Sequence, residues 1–450
     1  MPEPQRTKFL IIGAGPAGTA AATTAAALGA RVTLVEAQVV GGAAHLWDCI
    51  PSKTMVATAV RIDSMRNAPR LGVTAAPGSI DSAQLAERIA TISGDINRSW
   101  VDLLSSQAVE IVNGKGRLVG PNEAVVDGTR NVGFDVCLLS TGSAPRVPAW
   151  AEVDGERILT TRDAYDLSTV PERMIVIGSG VTGVEFVHIF ESLGSKVTLV
   201  VSRQQILPHR DPEVAAVLEE DFLERGVRLV IGARAIGIDR SDDGVKVRCD
   251  DGRVVEGTHA LLAIGSVPNT ADLGLGELGI KESGGFIQVD EHQRTSVPHI
   301  YAAGDCTGQL LLSSVAALQG RKIARHALGF PVTPIDYSKV SQAIFTEPEI
   351  ASVGLEEADL AAGGRKVRTT KVPFAANARA VLQGNPRGFV KVMSDPATGV
   401  VLGGSIVGHR ASELIGIMAL AVKARVTVNV LVDTLMVHPS LSEAISEAAE

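Results

Sequence analysis

The sequence predicts an α/β protein with two doubly wound nucleotide-binding units and a C-terminal α+β domain. Three observations carry this. The chain has 450 residues, and at ~150 residues per domain that is about three hydrophobic cores. A strand, a glycine-rich turn, a helix and a second strand follow one another near the N-terminus, and the same order returns in mid-chain. After about Pro334 the composition changes and no further glycine fingerprint occurs.

Composition narrows the function classes. With 45% hydrophobic and 20% charged residues the chain is ordinary globular protein, not a disordered or fibrous one. Lys+Arg 42 against Asp+Glu 50 and only 4% aromatics leave neither the basic face nor the stacking rings that nucleic-acid binding needs. Cys49, Cys137, Cys249 and Cys306 are too few and too scattered for a disulfide scaffold or a zinc site. A soluble protein of a reducing compartment, the cytoplasm, is expected, with no metal site. From Phe9 to Ala30 the chain carries no charge over a membrane-spanning length. Gly13, Gly15, Pro16, Gly18 and Gly29, set among Ala and Thr, make it instead a buried strand followed by a packed helix, with no membrane span.

The first unit runs through Lys8–Ile12, the turn Gly13-Ala14-Gly15-Pro16-Ala17-Gly18, an Ala-rich helix, and the strand Arg31–Val35 ending at Glu36. Ile80–Gln107 reads as one long amphipathic helix, and Val109–Val126 and Cys137–Thr141 as short strands. The second unit runs through Met174–Ile177, Gly178-Ser179-Gly180-Val181-Thr182-Gly183, a helix to Leu193, and the strand Lys196–Val201. Arg228–Val255 alternates as strands with turns at 242–244 and 250–252. In the C-terminal domain strands are expected at 342–345, 366–372, 388–393 and 400–406, and helices at 412–424 and 428–435.

A GxGxxG match alone says little; a strand before it, a helix after it and an acid ending the next strand make it a Rossmann-like dinucleotide site. The first glycine permits the tight turn, the second lets backbone N–H groups approach a pyrophosphate, and the third lets helix and strand pack closely. Glu36 stands where a carboxylate would accept from ribose hydroxyls. At the equivalent place in the second unit stands Val201, followed by Ser202 and Arg203, with His209 and Arg210 beyond. Without the acid nothing repels a ribose 2′-phosphate, and Arg203 could pair with one. That favours NADPH, or tolerance of NADPH and NADH; a solvated surface Arg203 is the alternative. Two nucleotide sites in one chain imply electron traffic, and a tightly held flavin, FAD, is the natural partner of a nicotinamide.

Several motifs occur in one order: Gly13–Gly18, Gly41-Gly42 with Cys49-Ile50-Pro51-Ser52-Lys53, Ser140-Thr141-Gly142, and Gly178–Gly183 with Glu185. Gly265 with Pro268-Asn269, Thr295 with Tyr301–Asp305, and His438-Pro439-Ser440-Leu441-Ser442-Glu443 complete it. Together they resemble the flavoprotein disulfide reductase (pyridine nucleotide-disulfide oxidoreductase) family over essentially the entire chain. The resemblance implies an FAD-binding domain over 1–148, an NAD(P)-binding domain over 149–265, a central return to the FAD domain over 266–335, and a dimerisation domain over 336–450. It also implies a homodimer. Gly42 and Ala43 would line the FAD site, Asp305 would bond the flavin's ribityl chain, and Gly116 would lie near adenine. Thr141, Gly142 and Gly265 would also belong to the cofactor sites. The helix entered at Ser313-Ser314 would point its N-terminus at the flavin pyrimidine, with a backbone contact at Ser314, where relatives often carry histidine. Lys53 and Glu185 would form a buried ion pair beside the flavin.

One departure decides the expected chemistry. The family's redox motif is two cysteines separated by four residues, and here the position five before Cys49 is Ala44. A single sulfur cannot form the intramolecular disulfide that exchanges with a dithiol substrate, which argues against dihydrolipoamide dehydrogenase. Cys137 and Cys306 read as small core residues. Cys49 has two readings, a thiolate that donates charge to FAD or a packed relic. His438 and Glu443 resemble the family's acid/base couple, contributed across a dimer interface, and residual proton transfer is expected of them. Trp47 reads as core packing, with a stacking surface as the alternative. The Gly41-Gly42-Ala43-Ala44 tract resembles the lipoamide-dehydrogenase-like NAD(P)H:quinone reductases, which implies a small-molecule electron acceptor, a quinone, reached directly. Soluble transhydrogenase and a nucleotide-sensing flavoprotein are the rivals.

Overall fold

A computed structural model describes residues 6–74, 78–357, 359 and 366–450. The chain divides into two compact units, the first Met1–Ser52, Ala86–Arg146 and Ser266–Ile335, the second Lys53–Leu85, Val147–Gly265 and Asp336–Glu450.

The first unit is built on a five-stranded parallel sheet in the order Ile300–Ala302, Val136–Leu139, Lys8–Ile12, Arg31–Glu36, Glu110–Asn113. Strands covered on both faces have no polar side to show, and Phe9, Leu10, Ile11 and Ile12 are all buried. The helix Pro16–Ala27 starts on a proline whose fixed φ suits the first helical turn. Its Ala-rich surface packs on the helix Ser313–Ala327, and the two backbones come so close that a Cβ on Gly320 would lie 2.1 Å from the Ala17 carbonyl oxygen. A small antiparallel sheet, Gly116–Gly120, Glu123–Val126 and Arg130–Gly133, follows. The expected long helix is observed at Ser82–Ser106.

The second unit repeats the architecture. Its parallel sheet has the order Arg228–Ile231, Lys196–Val201, Arg173–Ile177, His259–Leu262, Ile158–Thr160, with the helix Val181–Leu193 after the second glycine turn and the helix Pro212–Glu224 beyond. Strands Ala235–Ser241, Gly244–Cys249 and Val254–Gly257 form an antiparallel sheet, turning where the sequence placed the turns. The C-terminal portion is a five-stranded antiparallel sheet in the order Gln342–Ile344, Glu349–Gly354, Val401–Gly408, Phe389–Ser394, Arg368–Pro373. Sequence reading missed Glu349–Gly354, which lies next to the edge strand; Ala, Ser and Gly, with a proline just before, give it a weak strand signal. Helices Ala411–Ala424 and Val428–Asp433 cover one face, the second stopping before the expected Leu435. Among the described residues no helix is long and apolar enough to cross a membrane.

Candidate active site

In the first unit, the expected FAD residues gather at the carboxyl ends of the parallel strands, where ligands of doubly wound sheets bind. Gly13 follows Ile12 at φ 102°, and Gly15 is extended at φ −68°, ψ −173° as N-cap of the helix it opens. A Cβ on Gly13 would meet the Ser140 carbonyl oxygen at 2.3 Å, and one on Gly18 the Gly13 carbonyl oxygen at 2.0 Å, whereas one on Gly15 would meet nothing within 4 Å. The outer glycines are therefore demanded by packing and the middle one by approach from outside. With no side-chain cap on this helix, its N-terminal N–H groups suit a pyrophosphate. Pro16 and Ala17 form the first helical turn. Glu36 accepts from the Ala14 and Gln38 N–H groups through its two oxygens, at 2.6 and 2.9 Å, so the strand-end carboxylate faces the glycine turn.

The remaining first-unit residues lie nearby in the chain path or contact these. Gly42 packs against Gly15, where a Cβ would come within 2.9 Å of the Gly15 Cα. Gly116 packs on Ile12, and Gly114 N–H donates to the Glu36 carbonyl. Thr141 donates its hydroxyl to the Asn269 carbonyl, and Gly142 accepts from Asn269 N–H. Asp305 accepts from Ser143 Oγ at 2.7 Å, and burial pushes its carboxyl above the usual range. The donor set, the uncapped helix and the open approach at Gly15 fit a dinucleotide flavin.

Ala43 leads into one turn of π-helix, Ala44–Asp48, of a kind frequent at functional sites. Its bond from Cys49 N–H to the Ala44 carbonyl, 3.1 Å, sets Ala44 and Cys49 one turn apart. Trp47 on this turn is part-exposed. Cys49 Sγ lies 3.2 Å from Ser313 Oγ, the first residue of the helix Ser313–Ala327, whose N-terminus has no side-chain cap. Ser314 beside it is exposed. Cys49 is part-exposed, while Cys137, Cys249 and Cys306 are buried and free. Burial pushes the Cys306 thiol up to about 11, which makes it a poor nucleophile.

The second unit carries the near copy of the turn. Gly178 has φ 109° and Gly180 φ −72°, ψ −176°. A Cβ on Gly178 would lie 2.3 Å from the Ala263 carbonyl oxygen and one on Gly183 1.8 Å from that of Gly178, while one on Gly180 would again meet nothing within 4 Å. Val201 is fully buried at the strand end, and Ser202 and Arg203 are exposed beyond it. Arg210 is not available to a phosphate: it bonds Ser352, Gln342 and Glu356. Gly265 has φ 92° with open space at its Cβ.

Lys53 and Glu185 meet at 2.8 Å, Glu185 also accepts from Phe345 N–H at 2.9 Å, and the Lys53 ammonium lies 4.7 Å from the Phe345 ring centre. The Glu185 side chain is 7% exposed but that of Lys53 is 32%, so only half of the pair is buried within this chain. The long lysine stem lets the charge stay near water while its carbons pack. His438 Nδ1 and Glu443 Oε1 are 2.7 Å apart, and Ser440 N–H donates to Glu443 Oε2. The Ser440 N–H, with the His438 bond second, holds the Glu443 carboxyl below the usual range. Around this couple the surface is apolar and exposed, with Leu435 99% and Val437 76% exposed. The carboxylates of Asp211, Glu213 and Glu357, which together could enclose a cation, surround the Lys391 ammonium.

Residues 7–320 match the family model described as pyridine nucleotide-disulphide oxidoreductase, and residues 340–449 match the dimerisation domain of that family. The chain is 45% identical to an NAD(P)H dehydrogenase (quinone) of Mycobacterium tuberculosis, over 98% of this chain and 93% of that protein. It is 36% identical to a dihydrolipoyl dehydrogenase of Chlorobaculum tepidum, over 98% and 95%. The crystal structure of LpdA from Mycobacterium tuberculosis matches with a TM-score of 0.94 at 45% identity, covering 98% of this chain and 99% of that one. The HOCl-induced flavoprotein disulfide reductase RclA of Escherichia coli shares the fold, with a TM-score of 0.88 at 24% identity. With both domain models matched in order along nearly the full chain, the protein belongs to the pyridine nucleotide-disulphide oxidoreductase family.

Proposed function

We propose that the protein is an FAD-dependent NAD(P)H dehydrogenase that hands electrons directly to a quinone-type acceptor, as a homodimer in the cytoplasm. The observation that carries the reading is the single part-exposed sulfur. Cys49 N–H bonds the Ala44 carbonyl across the π-turn, where the family carries its second cysteine, and the other three cysteines are buried and free. A dihydrolipoyl dehydrogenase needs that partner; the relative named for quinone reduction is also the more similar one, at 45% against 36%.

FAD and NAD(P)H are the family's cofactors. When bound, FAD supplies two-electron acceptance from the nicotinamide and release to an acceptor. The chain's own residues do the rest. In 1–148 and 266–335, Gly13–Gly18, Glu36, Gly42, Ala43 and Asp305 hold the flavin nucleotide. In 149–265, Gly178–Gly183 take the pyrophosphate of NAD(P)H, and Ser202 and Arg203 offer a hydroxyl and a cation to a 2′-phosphate. Lys53 is placed by Glu185, a carboxylate fixed at its other oxygen by Phe345 N–H. In 336–450, ionised Glu443 holds the proton of His438 on Nδ1, which leaves Nε2 to carry a proton to a reduced oxygen. The apolar strip at Leu435 and Val437 suits burial against a second copy.

The test is a steady-state panel of menadione and other quinones, lipoamide, glutathione disulfide and thio-NAD⁺, each with NADPH and with NADH. Turnover with quinones alone is expected. Robust lipoamide turnover overturns the reading, and turnover confined to thio-NAD⁺ replaces it with transhydrogenation.

A further inference from the structure

Lys53 and Glu185 are one end of a longer seam. Lys53 sits in the first turn of the helix Ile50–Asn67, and Glu185 in the first turns of Val181–Leu193. Asp63, ten residues beyond Lys53 and so about 15 Å further along the helix, returns to the same partner helix. Its Oδ2 accepts from Ser192 Oγ at 2.8 Å and from Arg225 Nη2 at 3.3 Å. Arg225, the C-cap of Pro212–Glu224, also donates to Ser192 Oγ at 2.6 Å, to His188 Nδ1 at 3.2 Å and to Glu191. Arg66 adds bonds to Glu191 Oε1 at 3.2 Å and to the Ser192 carbonyl at 2.9 Å. His188 and Ser192 are 0% exposed and Asp63 8%.

Such a cluster is an exacting joint. A buried charge without its partner is expensive, so the network tolerates only the geometry in which its charged members are paired. Arg225 has only protons to give, so His188 must present a bare Nδ1 and remain neutral, with its proton on Nε2. No sequence spacing announces the joint, because Asp63, Ser192 and Arg225 come from three separate helices.

We propose that Asp63, Ser192 and Arg225 are positioning residues that fix the rotation and depth of the Lys53-bearing helix against the Glu185-bearing helix, so that the Lys53–Glu185 couple keeps its reactive geometry. This rests on the hydride-accepting function proposed above. The joint acts at a distance: it touches neither Lys53 nor Glu185, and shares with them only the two helices. A small rotation at the Asp63 end is carried as a rigid-body shift to the Lys53 end, and misplacement of about 1 Å near reacting atoms can cost ~100-fold in rate.

Anaerobic rapid mixing of the FAD-loaded enzyme with NADPH separates the rate of flavin reduction from the nucleotide Kd. Ser192→Ala and Asp63→Asn are the variants, since Arg225→Ala would take one cation from three carboxylates at once, Asp63, Glu191 and Asp221, and lose the fold. Each is expected to slow flavin reduction roughly 10- to 100-fold with Kd and FAD content unchanged. In a Lys53→Met background, Ser192→Ala should add little further slowing, because the joint works through Lys53. Unchanged reduction rates with a lowered Tm, or full additivity with Lys53→Met, would overturn the proposal by making the joint merely structural. A wild-type flavin that NADPH and NADH both fail to reduce would instead sink the proposed function.

Discussion

Placing a sulfur back at position 44 puts the central argument at risk. The Cys49 N–H to Ala44 carbonyl bond sets the two residues one π-turn apart, so Ala44→Cys should create a pair able to bridge. Closing the short loop from 44 to 49 removes about 2 kcal/mol of denatured-state entropy. Ala44 is buried, and inserting a sulfur there costs ~1–3 kcal/mol of overpacking. The two effects offset one another, so Tm should hardly move and redox behaviour is the readout. The wild type, with four free cysteines, should show the same thiol count before and after reduction. The variant should lose two thiols on oxidation and regain them with dithiothreitol. In anaerobic dithionite titration it should take up one more electron pair per FAD than the wild type. Slow lipoamide turnover should appear with it. If oxidised Ala44→Cys keeps every thiol free, then position 44 does not face Cys49, and its alanine explains nothing about the acceptor. A second electron pair taken up by the wild type would be equally damaging.

Other outcomes follow from the same geometry. Gly15→Val should leave a folded chain without FAD, since its side chain enters open space, whereas Gly18→Val should fail to fold, its Cβ 2.0 Å from a carbonyl oxygen; flavin absorbance and circular dichroism separate them. Burial, and Arg225 second, depress His188 to about 3 in the folded state, against ~6.5 unfolded. Below pH 6.5 the unfolded chain takes up a proton that the folded chain refuses, so stability falls by up to ~1.4 kcal/mol per pH unit between about 6.5 and 3. His188→Gln should flatten that limb in urea titrations at several pH values; an unchanged slope would mean His188 is not held neutral. Arg203→Ala should lower the NADPH-over-NADH ratio of kcat/KM by about tenfold or more, the value of a charge-assisted bond, and a constant ratio would remove Arg203 from coenzyme choice.

Local patterns were legible in the sequence and cooperative ones were not. The two strand–turn–helix–strand units could be read because their glycines are fixed by contacts within a few residues, Gly18 against Gly13 and Gly183 against Gly178. The antiparallel strands of 235–257 could be read from alternation and Asp-Gly turns. Glu349–Gly354 escaped because small residues in a well-covered strand need no alternation. The π-turn at Ala44–Asp48 has no compositional signal. Lys53 and Glu185 were reachable only through family resemblance, and the Arg225 joint not at all: its members are 162 and 129 residues from Asp63 in the cases of Arg225 and Ser192. Arg210 shows that nearness in sequence to a nucleotide turn is no guide by itself, since its guanidinium is committed to Glu356 and its neighbours.

The two glycine turns match to within 7° at their first glycines and have the same extended second glycine. Duplication of one unit accounts for such twins, and it leaves their later divergence little room at the outer glycines, where a Cβ meets backbone in either turn. What selection could still vary was the residue capping the neighbouring strand, acidic at Glu36 and aliphatic at Val201. One ancestral cradle could thus acquire two different tenants through a single codon, and coenzyme preference in this lineage should drift at positions 201–203 while the turns themselves stay frozen.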